Sequence, residues 1–443
     1  MQLRAARTGA LEGTLRVPGD KSISHRSLMF SALAVGESRI EGLLEGEDVL
    51  ATAHALQKLG VEIARTGEGA WSVHGVGVGG LAEPADVLDM GNAGTGARLM
   101  MGLLAGHPFT SIMTGDGSLR SRPMARVMAP LARMGAAFTG RSGQRLPAAI
   151  TGTRDLLPLA YQSPVASAQV KSAILLAGLH AKGETTVTEP LASRDHTERM
   201  LAHMGAAVAS ETGPDGALTV RITGRPELRP SSFLVPSDPS SAAFPVAAAA
   251  VTPGSRVLVQ GVCVNPLRTG LFITLREMGA VITEQNQRSV GGEVVADLLV
   301  EGGELRGVDV PEGRAPSMID EYPVLSVVAS LARGTTRMRG LAELRVKESD
   351  RLAVMAEGLA ACGATVEVEN DDLIVHGSGG SALAGGVTVD ARLDHRIAMS
   401  FLVLGGLADQ PVEVLGAEAI LTSFPGFVPL MNGLGARITE VGA

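Results

Sequence analysis

Six segments of the chain are apolar on nearly every side of a helix and consist mostly of small residues. They begin at residues 24, 94, 166, 240, 320 and 394 and read SHRSLMFSALAVG, GTGARLMMGLLAG, ASAQVKSAILLAGL, SSAAFPVAAAAV, DEYPVLSVVASLA and DHRIAMSFLVLGGLA. A helix that is hydrophobic all round is normally buried. The pattern therefore predicts six buried helices.

Each segment leads into a short β-branched strand and then a second helix that ends in glycine. The six terminal glycines are Gly60, Gly135, Gly205, Gly279, Gly363 and Gly435, at intervals of 70 to 84 residues. Glycine directly after a helix adopts a positive φ at little cost, so each is predicted to end its helix. Ordinary α/β alternation is the alternative, but one order recurring six times favours an internal repeat.

The repeats are longer than the roughly 20–45 residues of a usual solenoid unit. We therefore expect each repeat to be a small βαβαββ subdomain with its own sheet, and three repeats to enclose one helical core. The similar motifs VPGDKS (17–22) and VPSDPSS (235–241) predict two crossovers between domains. The expected domains are residues 21–235, and residues 1–20 together with 236–443, with an active-site cleft between them and the crossovers as a two-strand hinge.

The composition excludes several classes of function. A net charge of −8 and 3% aromatic residues argue against a basic nucleic-acid surface and against base stacking. Cys263 and Cys362 are too few and too far apart for a disulfide framework and have no zinc-ligand spacing. No apolar run reaches the roughly 18 residues of a membrane span, and no secretory signal is recognisable. We expect a cytoplasmic protein without nucleic-acid or membrane partners.

Charged and polar motifs stand at the start of the buried helices, where free backbone N–H groups favour anions. Each motif alone also fits a helix cap or a solvated surface, and Lys171 fits a structural role better than a catalytic one. Together the motifs supply many cations and few carboxylates, which suits substrates with several negative charges. The cations are Lys21, Arg26, Arg98, Arg122, Lys347, Arg351 and Arg396.

Three local features are predicted in these motifs. Pro123 suits the first position of a helix, which would direct Arg122 toward the positive end of the dipole. Lys347 and Arg351 are four residues apart and are expected on one helical face. Asp320 is a candidate general base, with helix capping as the alternative. No nucleophile–base pair and no metal site stand out, which favours addition–elimination over covalent catalysis.

The chain closely resembles the 5-enolpyruvylshikimate-3-phosphate synthase family along essentially its whole length. The motifs VPGDKSISHRSL, GNAGTGARL, RPM, SAQVKSA, DEYP, LRVKESDR and LDHRIAMSF occur in the family's order. RDHTE, APSMIDEYP and SFP are most similar to the bacterial subgroup that includes glyphosate-tolerant enzymes. The resemblance implies two inside-out α/β barrel domains of three repeats each, which close on substrate like a pincer.

The resemblance also implies the reaction. The enolpyruvyl group of phosphoenolpyruvate passes to the 5-hydroxyl of shikimate 3-phosphate through a tetrahedral intermediate that loses phosphate. No metal or organic cofactor is implied, and we expect a monomer whose only partners are these two small molecules.

Residue by residue, the resemblance assigns the following roles. Shikimate 3-phosphate is expected to contact Lys21, Ser22, Arg26, Ser167, Ala168, Gln169, Arg194, Asp320 and Lys347. Phosphoenolpyruvate is expected to contact Lys21, Asn92, Gly94, Arg122, Gln169, Arg351 and Arg396. Asp320 would deprotonate the 5-hydroxyl and Glu348 would protonate C3, with Lys21 and Lys347 assisting.

Three positions depart from patterns in the family. Ala168 replaces a second serine, which leaves a backbone contact there. Ser423 replaces a lysine, which removes one cation near the phosphate of phosphoenolpyruvate. Gly94 stands where glyphosate-tolerant members often have alanine, so tolerance does not follow from the subgroup resemblance.

Three alternatives are weaker. The related transferase acting on UDP-N-acetylglucosamine usually has a reactive cysteine on a mobile N-terminal loop, whereas Cys263 and Cys362 fall within repeats. A non-catalytic metabolite-binding protein would lack Asp320, Glu348 or Lys21, and all three are present. The net charge of −8 disfavours an RNA-processing enzyme with related subdomains.

Overall fold

A computed structural model describes residues 1–442 and has a mixed α/β fold. The described chain divides into two compact units. Unit 1 comprises Met1–Asp20, Pro236–Ser289 and the residues from Val294 onward, and unit 2 comprises Lys21–Val235 with Val290–Glu293.

The helices alternate between buried ones and ones that cover the sheets. Their bounds are α1 Lys21–Leu33, α2 Glu47–Lys58, α3 Gly94–Ala105, α4 Gly117–Ser121, α5 Ala125–Arg133, α6 Ala168–Gly178, α7 His196–His203, α8 Pro239–Val251, α9 Gly270–Glu277, α10 Ala315–Met318, α11 Tyr322–Leu331, α12 Arg351–Ala361, α13 His395–Gly405 and α14 Phe427–Gly433. Short 3₁₀ turns lie at Pro266–Arg268, Glu312–Arg314, Ala342–Val346 and Ala417–Thr422.

The strands are short. Their bounds are β1 Gln2–Ala6, β2 Glu12–Leu15, β3 Val35–Glu41, β4 Glu62–Gly67, β5 Ala70–Val76, β6 Leu88–Asp89, β7 Thr110–Thr114, β8 Ala137–Arg141, β9 Arg145–Thr151, β10 Ala160–Gln162, β11 Glu184–Glu189, β12 Val208–Thr212, β13 Leu218–Thr223, β14 Ser232–Leu234, β15 Arg256–Cys263, β16 Val281–Val290, β17 Glu293–Glu301, β18 Asp309–Val310, β19 Arg333–Met338, β20 Thr365–Glu369, β21 Asp372–Ser378, β22 Thr388–Asp390, β23 Val412–Leu415 and β24 Arg437–Glu440.

These strands form six four-stranded sheets, three in each unit. In unit 2 the strand orders are β14-β3-β5-β4, β6-β7-β9-β8 and β10-β11-β13-β12. In unit 1 they are β16-β17-β15-β2, β18-β19-β21-β20 and β22-β23-β1-β24. Each sheet has one parallel pair, such as β6 with β7, followed by antiparallel pairs. The sixfold repeat inferred from the sequence is therefore present as six sheets of one design.

In each unit, strands that are distant in sequence pair within one sheet. In unit 2 the last strand, β14, pairs in parallel with β3 of the first repeat. In unit 1 the N-terminal strand β2 pairs with β15, and β1 lies between β23 and β24. The first residues of the chain thus complete sheets whose other strands lie beyond residue 255.

The six apolar helices predicted from the sequence are α1, α3, α6, α8, α11 and α13, and they are buried. All residues of α11 are buried, as are those of α8 up to Ala250. Small residues allow these helices to pack closely. At Gly102 of α3, a Cβ atom would lie 2.3 Å from the carbonyl oxygen of Ala173 on α6.

The prediction for the recurring glycines is also confirmed. Gly60, Gly135, Gly205, Gly279, Gly363 and Gly435 have φ between +87° and +115°. Each directly follows the last turn of a sheet-covering helix, where an L-residue with a side chain would be strained.

The two cysteines and the lengths of the helices bear on the class of protein. Cys263 and Cys362 are buried free thiols, and burial raises the pKa of Cys362 to about 11. No helix within residues 1–442 is both long and apolar enough to cross a membrane.

A pair of histidines lies just beyond the C-terminal ends of α3 and α6. The rings of His107 and His180 pack edge to face, with centroids 4.9 Å apart. Burial, together with the neighbouring His107, lowers the pKa of His180 to about 3. His180 is therefore neutral in the folded protein at all but strongly acidic pH.

This burial makes stability depend on pH. Below about pH 6.5 the unfolded chain binds a proton at His180 that the folded chain does not, so stability falls as the pH decreases toward 3. Between pH 7 and pH 5 this one group should remove about 2 kcal/mol. In the His180→Phe variant, the loss of unfolding free energy over that interval, measured by urea titration, should be smaller by that amount. An unchanged pH dependence would contradict the assignment.

Candidate active site

Polar groups gather in unit 2 at the N-terminal ends of the buried helices α1, α3 and α6. We call this set the unit 2 cluster. Its members are Lys21, Ser22, Arg26, Asn92, Gly94, Arg98, Arg122, Ser167, Ala168 and Gln169. The predicted residue Arg194 lies outside it, between β11 and α7. Helix N-terminal ends present free N–H groups and a positive dipole end, so this placement favours anions.

Lys21 is the first residue of α1 and is mostly shielded from solvent, with 18% of its side chain exposed. Its ammonium is paired with the carboxylate of Asp48 on α2, which is 4% exposed. This pairing holds the Lys21 ammonium close to the start of the helix.

Arg26 lies one turn further along α1 and is almost completely buried. It donates to the backbone oxygen of Ser22 at 2.9 Å, to Ser172 Oγ at 2.8 Å and to Thr197 Oγ1 at 2.8 Å. These bonds join the starts of α1, α6 and α7. The Arg26 guanidinium places a positive charge close to the start of α1, where it adds to the local attraction for an anion.

The start of α3 is joined to α6 through Gln169. The Gln169 amide donates to Thr95 Oγ1 at 3.0 Å and accepts from Arg98 Nη1 at 2.9 Å. Arg98 also donates to the carbonyl oxygen of Gly94 at 3.3 Å. The side-chain orientation of Gln169 is thus set by two partners on α3.

Arg122 reaches the same region from the turn between α4 and α5. It donates to Asn92 Oδ1 at 2.7 Å and to Ser118 Oγ at 2.9 Å. Its Nη1 atom approaches Gly94 so closely that a Cβ at that position would lie 2.8 Å away. Glycine at 94 therefore leaves the space that Arg122 occupies.

The predicted helix start at Pro123 is wrong. Arg122 is the C-terminal cap of α4, and α5 begins two residues after Pro123, at Ala125. The arginine owes its position to the turn between two helices and to Asn92, rather than to the first turn of one helix.

Ser167 caps α6, since its hydroxyl accepts from the backbone N–H of Val170. Ala168 is the first residue of the helix and offers only its backbone for binding. Lys171 is fully buried one turn later, as expected for a structural residue.

A second set of charged groups lies in unit 1, around the start of α11, α12 and α13. We call it the unit 1 cluster. Its members are Asp320, Glu321, Lys347, Glu348, Arg351, Asp394 and Arg396.

Arg351 is the centre of the unit 1 cluster, with 1% of its side chain exposed. Its Nε is 2.8 Å from Asp394 Oδ2, its Nη1 is 3.0 Å from Asp320 Oδ1, and its Nη2 is 2.5 Å from Glu348 Oε2. Burial acts to lower the pKa of Arg351, but the charges of the three carboxylates outweigh it and raise the pKa above its ordinary value. One guanidinium thus holds three carboxylates in a fixed arrangement.

Asp320 lies among three cations. Besides Arg351, its Oδ1 is 3.4 Å from Lys347 Nζ and 3.8 Å from Arg396 Nε. The alternative of helix capping is not supported, because α11 begins at Tyr322 and the residue before it, Glu321, makes no side-chain capping bond. The Asp320 carboxylate retains 14% exposure, which leaves it accessible to a substrate hydroxyl.

Two expectations about this region are wrong. Lys347 and Arg351 do not share a helical face, because Lys347 follows a 3₁₀ turn and α12 begins only at Arg351. The site residues were also expected to include few carboxylates, but Asp320, Glu348 and Asp394 all contact Arg351.

Asp394 and Asp48 were not among the expected site residues. Asp394 is fully buried, bonds Arg351 and also caps α13 through the Arg396 N–H at 3.0 Å. The sequence placed Asp394 in the motif LDHRIAMSF, but an aspartate before a helix is also expected as a cap, so the sequence alone did not assign it to the site. Asp48 had no signal, since its contact with Lys21 depends on how α2 packs against α1.

Two further positions complete the comparison with the sequence. Arg194 is partly exposed in the segment between β11 and α7. Ser423 is buried after the 3₁₀ turn at 417–422, where its backbone N–H donates to the carbonyl oxygen of Ile420 at 3.2 Å.

One group of possible metal ligands occurs in the described chain, formed by Asp195, His196 and Glu293 within 4.8 Å of one another. His196 Nδ1 is 2.7 Å from Glu293 Oε1, and Asp195 Oδ2 is 2.7 Å from Arg199 Nε. These ion pairs account for the grouping without a metal. The absence of a metal requirement stays a prediction.

Comparison with known proteins gives one consistent result. The family model described as EPSP synthase (3-phosphoshikimate 1-carboxyvinyltransferase) matches residues 6–431. A protein from Rhodospirillum rubrum named 3-phosphoshikimate 1-carboxyvinyltransferase is 62% identical over 443 residues, which cover 99% of this chain and 98% of that protein. A protein of the same name from Paramagnetospirillum magneticum is 61% identical over 437 residues, covering 99% of this chain and 98% of the relative.

Solved structures agree with the sequence relatives. The structure of EPSP synthase from Acinetobacter baumannii superimposes with a TM-score of 0.87 at 44% identity and covers 99% of this chain and 100% of its own. The resemblance inferred from the motifs is therefore supported by sequence and by fold.

The buried charges around Arg351 lead to a stability prediction. In the Arg351→Met variant, the buried carboxylate of Asp394 loses its charged partner, and we expect about 3–5 kcal/mol less unfolding free energy in urea titrations. The matched control is Arg339→Met, which removes an arginine that is 41% exposed and paired with Asp309. It should cost about 1 kcal/mol or less. Equal losses in the two variants would contradict the buried network.

Proposed function

The chain belongs to the EPSP synthase family, and on that premise we propose how its two clusters perform the family reaction. The chain transfers the 1-carboxyvinyl group of phosphoenolpyruvate to the 5-hydroxyl of shikimate 3-phosphate and releases phosphate. The product serves the biosynthesis of aromatic amino acids. The observation that carries the mechanistic proposal is the position of Asp320, an accessible carboxylate held among Arg351, Lys347 and Arg396.

Shikimate 3-phosphate binds mainly to the unit 2 cluster. The phosphate lies at the start of α6, where it meets Ser167, the backbone of Ala168 and Gln169. Lys21, Ser22 and Arg26 hold the substrate from α1, and Arg194 closes its other side. The convergence of helix N-terminal ends and the shared bonds of Arg26 and Gln169 support this placement.

Phosphoenolpyruvate binds next to it. Lys21, Asn92, Gly94, Arg122 and Gln169 contribute from unit 2, and Arg351 and Arg396 from unit 1. Arginine suits the planar carboxylate and the phosphate oxygens because its N–H groups form a rigid fork. The bond from Arg122 to Asn92 supports this arrangement, since it holds the guanidinium against Gly94.

The reaction is an addition followed by an elimination. Asp320 accepts the proton of the 5-hydroxyl while the hydroxyl oxygen attacks C2 of phosphoenolpyruvate. Glu348 gives a proton to C3. The tetrahedral intermediate then loses phosphate, which takes the proton from Asp320, and C3 returns a proton to Glu348 to restore the vinyl group. Lys347 contacts Asp320 and Lys21 lies beside the substrates, so both ammonium groups assist these transfers.

The architecture of the proposal follows the family. Each unit is an inside-out α/β barrel of three repeats. The crossover segments at residues 17–22 and 235–241 act as a hinge when the substrates bind. The protein works as a monomer in the cytoplasm, without metal or organic cofactor, and needs no macromolecular partner.

The choice of acceptor is tested by phosphate release. We expect phosphate to form from phosphoenolpyruvate only when shikimate 3-phosphate is present. UDP-N-acetylglucosamine should give no release above background, because no cysteine lies in the unit 2 cluster. Both acceptors are assayed at equal concentration by a coupled colour reaction. Phosphate release with UDP-N-acetylglucosamine but not with shikimate 3-phosphate would overturn the proposed function.

A further inference from the structure

A buried ammonium lies behind the start of α6. The side chain of Lys171 has no exposed surface, and its Nζ is 3.0 Å from Glu189 Oε2 and 2.8 Å from Glu198 Oε1. The same ammonium donates to the backbone oxygen of Ser193 at 3.2 Å. A charged group so deep in a unit costs free energy unless it is paired and hydrogen-bonded, as Lys171 is.

Glu189 connects this ammonium to the substrate side of the unit. The glutamate is 1% exposed at the end of β11. Its Oε1 accepts from the backbone N–H of Ser167 at 2.7 Å, and its Oε2 accepts from Ser193 Oγ at 2.6 Å. One carboxylate therefore joins the cap of α6 to the residue that precedes Arg194.

The hydrogen-bond pattern requires a carboxylate at position 189. Oε1 faces a backbone N–H, and Oε2 faces both a hydroxyl and the Lys171 ammonium. Glutamine has one oxygen and one NH₂, so either orientation places a donor against another donor. Lys171 in turn compensates the charge that Glu189 must carry so close to a phosphate site.

We propose that Glu189 and Lys171 are positioning residues for the phosphorylated substrate. They hold the backbone of Ser167 and the segment at 193–194 in the geometry that receives shikimate 3-phosphate. The pair touches no substrate itself and acts through Ser167, Ser193 and Arg194. This inference rests on the proposed function, because it names what sets the affinity for that one substrate.

Glu198 provides the matched comparison. It is a second buried carboxylate on the same ammonium, but within residues 1–442 the bonds to Ser167 and Ser193 come from Glu189. Glu189→Gln and Glu198→Gln each replace a carboxyl group that contacts the same lysine. Only the first variant disturbs the cap of α6 and the segment before Arg194.

The test measures binding of shikimate 3-phosphate by calorimetry and steady-state kinetics of the full chain. We expect Glu189→Gln to raise Kd and KM for shikimate 3-phosphate about tenfold or more, and Glu198→Gln to change them by less than about threefold. KM for phosphoenolpyruvate should change by less than about threefold in both. Urea unfolding midpoints, which should fall similarly in both, report the structural cost separately.

A Lys171→Met variant tests the other half of the pair, with Lys182→Met as control because Lys182 is exposed. We expect weaker binding of shikimate 3-phosphate in the first variant and wild-type binding in the second. If Lys171→Met does not fold, the comparison of the two glutamine variants decides the matter. Equal Kd values in Glu189→Gln and Glu198→Gln would overturn the inference, whereas an unmodified chain that binds no shikimate 3-phosphate would instead overturn the proposed function.

Discussion

The unit 1 cluster depends on a single buried guanidinium. Arg351 has almost no contact with water, yet it contacts Asp394, Asp320 and Glu348 within 3.0 Å. Removing such a charge from water is costly, and only close, well-oriented partners offset that cost. The result is a rigid set of carboxylates. Two of them, Asp320 and Glu348, are those to which we assign proton transfer, and the third, Asp394, keeps the arginine in place.

Unit 2 also relies on buried ion pairs, and here they hold cations near the helix N-terminal ends. Its helix N-terminal ends and cations attract anions, and its buried carboxylates hold two of the lysines in place. Asp48 neutralises Lys21, and Glu189 with Lys171 anchors the start of α6. The side chains that we expect to bind the substrate anions are therefore already oriented, which lowers the entropy cost of binding.

Much of this organisation was predictable from local sequence. The all-round apolar character of α8 and α11 required burial, and positive φ at Gly60 and Gly135 followed from their place after a helix. Contacts between distant segments were not predictable. Nothing local places β1 between β23 and β24, or brings Asp394 to Arg351. The prediction that Lys347 and Arg351 share a helical face was wrong, because Lys347 directly follows a 3₁₀ turn and α12 begins only at Arg351.

The central claim is that the carboxylate of Asp320, oriented by Arg351, takes the proton of the acceptor hydroxyl. The most direct measurement compares turnover with binding in the Asp320→Asn variant, using Asp309→Asn as a control on an exposed carboxylate of unit 1. We expect kcat of Asp320→Asn to fall about a hundredfold or more while shikimate 3-phosphate still binds, and kcat of the control to stay unchanged. Near-normal turnover of Asp320→Asn would contradict it.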